Sequence, residues 1–162
     1  MEDRLVTLLL QSFAQILVPG LLVTIPLTVV SFVLGILVAL GTALVQIAEL
    51  RGLKQLARFY VWIVRGTPLL VQLYIIFYGL PNLGIKLDAI PAAIIAFSLN
   101  VGAYTSETLR AAILAVPGGQ LEAGYCVGMS FSQTMRRIIL PQAFKIAFPP
   151  LFNSFISLTK DT

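Results

Sequence analysis

A chain of 162 residues that is 58% hydrophobic and only 11% charged is a membrane protein by composition, since soluble domains carry about 25% charged residues. Its mean hydropathy of +0.94 points the same way. The net charge of +4 is scattered between apolar stretches and never clustered with aromatics, which argues against a nucleic-acid partner and for the lipid bilayer as surroundings.

The chain opens on Glu2 and Asp3 beside Arg4, unlike the positive start of a cleavable signal peptide. No charge follows until Glu49. As one helix this stretch would run about 65 Å, roughly twice the hydrocarbon thickness of a bilayer. An interruption is expected, and Pro19-Gly20 predicts its place. Residues 1–18 then form a short N-terminal interfacial helix and residues 19–162 the transmembrane domain. Its first span runs from Gly20 to about Val45, where Gly35 and Gly41 offer close helix contact.

Glu49 to Arg58 reads as a polar connection, and a second span follows from about Phe59 to Gly79. That span contains Arg65-Gly66-Thr67-Pro68. Pro68 leaves the carbonyl of Val64 without its usual partner, which predicts a kink. Pro81 to Gly84 makes a turn, Lys86 and Asp88 mark water, and a third span runs from about Pro91 to Ala115. Lys145 and Pro149-Pro150 lead into a fourth apolar stretch, Leu151 to Thr159, which ends at Lys160-Asp161-Thr162. A crossing helix needs about 20 apolar residues. The fourth stretch has fewer, so the chain is expected to stop inside that span. The fold class is all-α, a polytopic membrane helix bundle.

The segment from about residue 117 to 141 differs from the rest. Pro117-Gly118-Gly119 ends the preceding helix. Gln120 to Val127 predicts a short helix with Glu122 in its first turn, where a negative charge suits the helix dipole. Gly128 is placed for a left-handed cap. Ser130 and Gln133 have capping-box spacing and start a second short helix. Pro141 stops that helix and suits the first turn of another. Two short helices at an angle, outside the bilayer, make a docking shape.

No catalytic constellation is present. With no histidine and one cysteine, Cys126, the chain lacks the commonest metal and acid–base residue and cannot form an internal disulfide. It has no Walker-type phosphate loop either, so any ATP chemistry falls to a partner. The informative residues are those a bilayer rejects, because a charge at a helix centre costs about 2.5–3.5 kcal/mol. Asn100, Tyr104 and Glu107 share one helical face. Arg110 lies one turn beyond and has a plain alternative role, neutralising Glu107. Lys160 and Asp161 are neighbours that point in different directions, at about 20 Å along a helix counted from Ala147. They read as substrate-binding or gating groups, or as a structural ion pair.

Glu122-Ala123-Gly124, then Gly128, then Ile138-x-Leu140-Pro141 resembles the EAA loop of the membrane subunits of bacterial ABC importers. Gly124 stands where that family usually has a second alanine. Arg65-Gly66-Thr67-Pro68-Leu69-Leu70-Val71-Gln72 is similar to the second-span motif of the polar-amino-acid branch, as are Ala103-Tyr104-x-x-Glu107-x-x-Arg110 and Leu158-x-Lys160-Asp161-Thr162. Within the branch, Tyr78-Gly79-Leu80-Pro81 and Phe152-Asn153-Ser154-Phe155 look most like L-cystine permeases, with glutamine or a basic amino acid as the nearest alternative substrate.

The resemblance implies a type I importer transmembrane domain in the bacterial cytoplasmic membrane, with no cofactor of its own. It implies a second permease subunit, identical or not, two ATPase subunits that use the ATP, and an extracytoplasmic amino-acid-binding protein. Glu122, Ala123, Gly124, Gly128, Ile138, Leu140 and Pro141 would couple to the ATPase. Thr67, Asn100, Tyr104, Glu107, Lys160 and Asp161 would line the path, with Glu107 and Asp161 toward the substrate ammonium and Lys160 toward its carboxylate. Arg51, Lys54, Arg58, Arg110, Arg136, Arg137 and Lys145 fall on one side of the spans, against Arg4 and Lys86 on the other. The positive-inside rule puts the crowded side in the cytoplasm and the N-terminus outside. An ATP-independent channel or secondary carrier, and a membrane scaffold, are the competing readings. Neither needs a coupling loop.

Overall fold

The computed structural model describes residues 2–48 and 51–162, with side chains except those of residues 2–11, 14, 19 and 51. Among the described residues there are helices and no strands. They run as α1 (Glu2–Ile47), α2 (Arg51–Gly66), α3 (Leu69–Tyr74), α4 (Ala89–Leu114), α5 (Gly119–Cys126), α6 (Phe131–Thr134) and α7 (Leu140–Asp161). Two of these are extended by a wide, π-helical turn: α3 by Ile75–Gly79 and α6 by Met135–Ile139. Each wide turn is followed by Leu-Pro, at Leu80-Pro81 and Leu140-Pro141. A proline has no N–H for the carbonyl four residues back, and a local widening accommodates that missing bond.

α1 corrects the expected interruption at Pro19-Gly20. The backbone is helical for 46 residues without a break and passes through Pro19 and Pro26. Each proline removes one hydrogen bond from a helix interior, and the helix continues through both. Bilayer thickness limits how much of a helix lies in lipid and does not by itself end the helix. The boundary expected at residues 18 and 19 therefore has no counterpart in the backbone.

α4 is the hub, packed against α1 along most of its length, and also against α7, α2 and α3. Its seam with α1 is built from small residues. Thr28, Ser31, Gly35, Ala39, Ala43 and Gln46 of α1 are buried at helical spacing, facing Ser98, Val101, Gly102 and Thr105 of α4. A Cβ added at Gly35 would lie 2.7 Å from Val101 Cγ1, and one at Gly102 would lie 2.7 Å from Val38 Cγ1. Each helix thus sets a valine into the other's glycine, which lets the backbones approach closely. Gly41, also expected at a contact, has open space beside it. Tyr60 adds a stitch from α2, donating to the carbonyl of Leu99 at 2.6 Å.

Among the described residues two helices, Gln15–Ile47 and Ala89–Leu114, are long and apolar enough to cross a membrane. A third crossing is available if Gly52–Gly66 and Leu69–Leu83 are one span, and the chain bends by 107° between them. The expected kink at Pro68 is thus a full break. α2 begins at Arg51, inside the stretch expected to be a polar connection; the start of that connection at Glu49 lies outside the described residues. α7 contains Pro149 and Pro150 and is continuous through them.

Candidate functional site: a polar cavity at a broken span

The break between α2 and α3 follows from its sequence. Pro68 has no N–H to offer the carbonyl of Val64, and side chains take up the groups this frees. Thr67 Oγ1 donates to the carbonyl of Ile63 at 2.8 Å. Gln72 Nε2 donates to the carbonyls of Val64 and Thr67, both at 2.8 Å. Tyr104 of α4 reaches the carbonyl of Arg65 at 3.5 Å. The broken end is capped, as the last carbonyls of a helix must be when water is scarce.

Around this capped end lies a cavity of about 540 Å³, within the size range of small-molecule sites. The break contributes Arg65, Gly66, Thr67, Pro68 and Leu69. α4 contributes Asn100, Val101, Tyr104 and Thr105, and α7 contributes Ser154, Ser157, Leu158 and Asp161. The Arg65 guanidinium sits 5.2 Å from the centroid of the Tyr104 ring, close enough for a cation–π contact. The Thr105 hydroxyl is buried with no hydrogen-bond partner among the described residues.

Of the residues named from sequence for the path, Thr67, Asn100, Tyr104 and Asp161 meet in this cavity, while Glu107 and Lys160 do not line it. Glu107 is held by Arg110, whose Nη2 and Nε donate to its carboxylate at 2.8 and 3.3 Å. Lys160 is exposed. The cavity also uses Arg65, Thr105, Ser154 and Ser157, which had been given no role. Ser154, Ser157 and Asp161 stand three and four residues apart on α7, a helical spacing that was readable in advance.

The second site is the elbow of α5 and α6. α5 ends on Gly128 at φ 78°, in the left-handed region. The amide of Gly128 bonds the Tyr125 carbonyl at 2.9 Å and that of Met129 the Gly124 carbonyl at 3.0 Å. These paired bonds make a Schellman motif. Ser130 then caps α6: its Oγ accepts from the Gln133 amide at 3.3 Å, and Gln133 Oε1 accepts from the Ser130 amide at 2.9 Å. α6 passes through its wide turn directly into α7, with Pro141 in the first turn, so no stop separates them.

Glu122, Ala123, Tyr125, Cys126 and Val127 face outward. Ile138 and Leu140 pack against a buried cluster that includes residues of both α4 and α7, among them Ile113 and Ala143, and fasten the elbow to those helices. Gly124 is buried, and a Cβ there would lie 2.5 Å from both Cγ2 and Oγ1 of Thr134. Thr134, fully buried, fills the space an alanine would take. Gly124→Ala is therefore expected to destabilise the subunit by about 1–3 kcal/mol through overpacking, despite alanine's better helix propensity. Adding Thr134→Ala should recover most of the loss. Thermal unfolding of wild type, Gly124→Ala, Thr134→Ala and the double variant checks this; equal melting of wild type and Gly124→Ala would contradict it.

A membrane helix bundle with a polar cavity at a broken span and a projecting two-helix elbow is the class of protein these features define. Residues 31–162 match the family described as binding-protein-dependent transport system inner membrane component. The chain belongs to that family. It is 57% identical over 152 residues to the L-cystine transport system permease protein TcyB of Bacillus subtilis (strain 168), covering 94% of this chain and 65% of that protein. It is 41% identical over 144 residues to the arginine transport system permease protein ArtQ of the same organism, covering 88% of this chain and 66% of the relative. The chain thus spans about two thirds of the length of these relatives.

Among solved structures, it resembles an amino acid ABC transporter crystallised with histidines, at 38% identity and a TM-score of 0.86 over 95% of this chain and 72% of that one. The fold is also that of the MetNI methionine ABC transporter, with a TM-score of 0.76 at 22% identity, over 92% of this chain and 72% of that one.

Proposed function

We propose that this chain is a membrane subunit of an ATP-driven importer and forms part of the translocation path for a polar amino acid, with L-cystine the best candidate. A separate ATPase subunit hydrolyses the ATP and docks on the α5–α6 elbow. A second permease subunit completes the path, and an extracytoplasmic binding protein delivers the substrate. The observation that carries this reading is the cavity at the broken span, which offers Arg65 and Asp161 as opposite charges beside the amide and hydroxyl groups of Asn100, Thr67 and Tyr104. Each zwitterionic end of an amino acid such as cystine presents one ammonium and one carboxylate, and such a lining satisfies one end without a net buried charge. The 57% identity to an L-cystine permease protein supports the substrate.

Reconstituting the full-length subunit with its ATPase and binding protein in proteoliposomes tests the proposal. ATP-dependent uptake of L-cystine above L-arginine and L-glutamine is expected. Uptake that proceeds without ATP would favour a channel or carrier, a reading that leaves the elbow unexplained.

The elbow provides a sharper test. The space beside Gly128 is open, so a side chain there meets no clash and the φ of 78° supplies the whole penalty. For leucine that is about 1–2 kcal/mol, which loosens the turn presented to the ATPase. Gly128→Leu is expected to lower uptake about tenfold at unchanged membrane insertion. Gly128→Asn, which tolerates the left-handed region, should retain most of it. Equal uptake in all three proteins would remove the coupling role.

Orientation has its own readout. Cys126, on the exposed side of α5, is expected to react with a membrane-impermeant thiol reagent in inside-out vesicles and not in intact cells. The reverse pattern would put the elbow, and its proposed ATPase, on the wrong face.

A further inference from the structure

Gln72 lies outside the lining of the cavity, yet it is the most connected side chain at the break. Its Nε2 carries two hydrogens, and both are used, on the carbonyls of Val64 and Thr67 at 2.8 Å each. Two acceptors on one side of a primary amide fix which end is nitrogen. The Gln72 Oε1 must then face the other way, and it accepts from Asn100 Nδ2 at 3.3 Å. The same logic passes to Asn100. With its nitrogen committed to Gln72, its Oδ1 lies on the opposite side of the amide, and Asn100 lines the cavity.

We infer that Gln72 is the positioning residue of this site: it pins the bent end of α2 and, through that bond, presents the Asn100 Oδ1 to the cavity as an acceptor for the substrate ammonium. This rests on the amino-acid reading above. Two backbone carbonyls at the break thereby set the polarity of a side chain on another helix. A leucine at 72 would cap nothing, and a glutamate of the same shape would set oxygens against carbonyl oxygens. The leucine also frees Asn100 to turn its nitrogen inward, where it repels an ammonium, whereas the glutamate loses the pin on the carbonyls but still accepts from Asn100 Nδ2.

The test is equilibrium binding of radiolabelled L-cystine to the full-length subunit assembled with its ATPase, in the absence of binding protein, so that selection by the binding protein does not intervene. Asn100→Ala is expected to raise the Kd about tenfold, the usual weight of a hydrogen bond to a charged group. Gln72→Met should do the same, Gln72→Glu should weaken binding less because it keeps an acceptor for Asn100, and Gln72→Met with Asn100→Ala should be no weaker than Asn100→Ala alone. Dithiodipropionate, which is cystine without its amino groups, should compete poorly in wild type, and the advantage of cystine over it should narrow about tenfold in the variants, where Asp161 still favours the ammonium. An unchanged Kd in Gln72→Met, or effects that multiply in the double variant, would overturn the inference.

A second readout needs no substrate. Spin labels at Leu56→Cys and Leu83→Cys, in a Cys126→Ser background diluted with unlabelled subunits, report the angle at the break. Their distance distribution should broaden in Gln72→Met and stay narrow in Asn100→Ala. If wild type binds none of L-cystine, L-arginine and L-glutamine, the substrate reading fails. This second measurement then decides: a distribution unchanged by Gln72→Met would overturn the pin, and a broadened one would support it.

Discussion

Gly35→Leu is expected to prevent the bundle from forming, because the glycine sits where two helix backbones nearly touch. A Cβ there would lie 2.7 Å from Val101 Cγ1, 2.8 Å from Val101 Cβ and 3.2 Å from the carbonyl oxygen of Ser98. The last is backbone and cannot rotate away. Overpacking of a tight interior costs about 1–3 kcal/mol where side chains can yield, and more where the backbone must part. We expect a loss of about 3 kcal/mol or more, a large share of the total for a domain of this size. Gly102→Leu acts on the same seam, against Val38 and the Tyr60 hydroxyl, and should be the milder of the two because its neighbours are side chains. Gly41→Leu is the control, since nothing lies within 4 Å of it. Thermal unfolding and size-exclusion profiles of the full-length subunit in detergent check the order. Melting of Gly35→Leu at the wild-type temperature would show that α1 and α4 do not meet as described.

The parts of the fold that were readable in advance are those set by short-range rules. Gly128 needed only the run of helix before it to be read as a left-handed cap, and the Ser130–Gln133 capping box is complete within four residues. The third span came within two residues of α4 at its start. Pro68 announced a disturbance for a reason contained in its own ring. The size of that disturbance was not readable, because the bend of 107° depends on what caps the freed carbonyls. One of those caps, Gln72, sits eight residues from the Val64 carbonyl on the far side of the proline. The expected break at Pro19 failed for the opposite reason: it reasoned from membrane thickness to backbone geometry, and the backbone answers to its own hydrogen bonds.

The cavity shows the same division. Asn100 and Tyr104 share a face by spacing, and both line it. Glu107 continues that face in sequence, but its carboxylate is engaged by Arg110 one turn away, the plainer of the two roles its spacing allowed. Arg65 belonged to a quoted motif and received no part in the path. Its position over Tyr104 is a contact between α2 and α4 that no local pattern encodes. Gly124 stood out in the sequence only as a glycine where the resembling family usually has alanine. The buried Thr134 packed against it turns that difference into a fitted contact.

Asp161→Asn is expected to reduce uptake on the order of a hundredfold, well beyond its small change in size. Asp161 lines the cavity as its one carboxylate, with Arg65 as its one cation among the lining residues. Asp161 and Arg65 are exposed in the cavity; once a substrate ammonium is enclosed against Asp161, removing that partner costs about 2–5 kcal/mol, much of it from leaving the other charge without compensation. Here the loss has two parts: the substrate ammonium loses its counter-charge, and Arg65 is left to repel it. Lys160, adjacent in sequence, projects elsewhere on α7 and does not line the cavity, so Lys160→Met should change uptake by less than about threefold, the scale of an exposed charge. Arg65→Met alone should weaken the carboxylate end. Combined with Asp161→Asn, it should be less harmful than the two losses multiplied, since neither charge is then stranded. Uptake and substrate-stimulated ATPase activity of the reconstituted full-length complex measure all four variants, with assembly verified separately. Normal transport by Asp161→Asn, or a larger loss in Lys160→Met, would move the ammonium site away from this cavity.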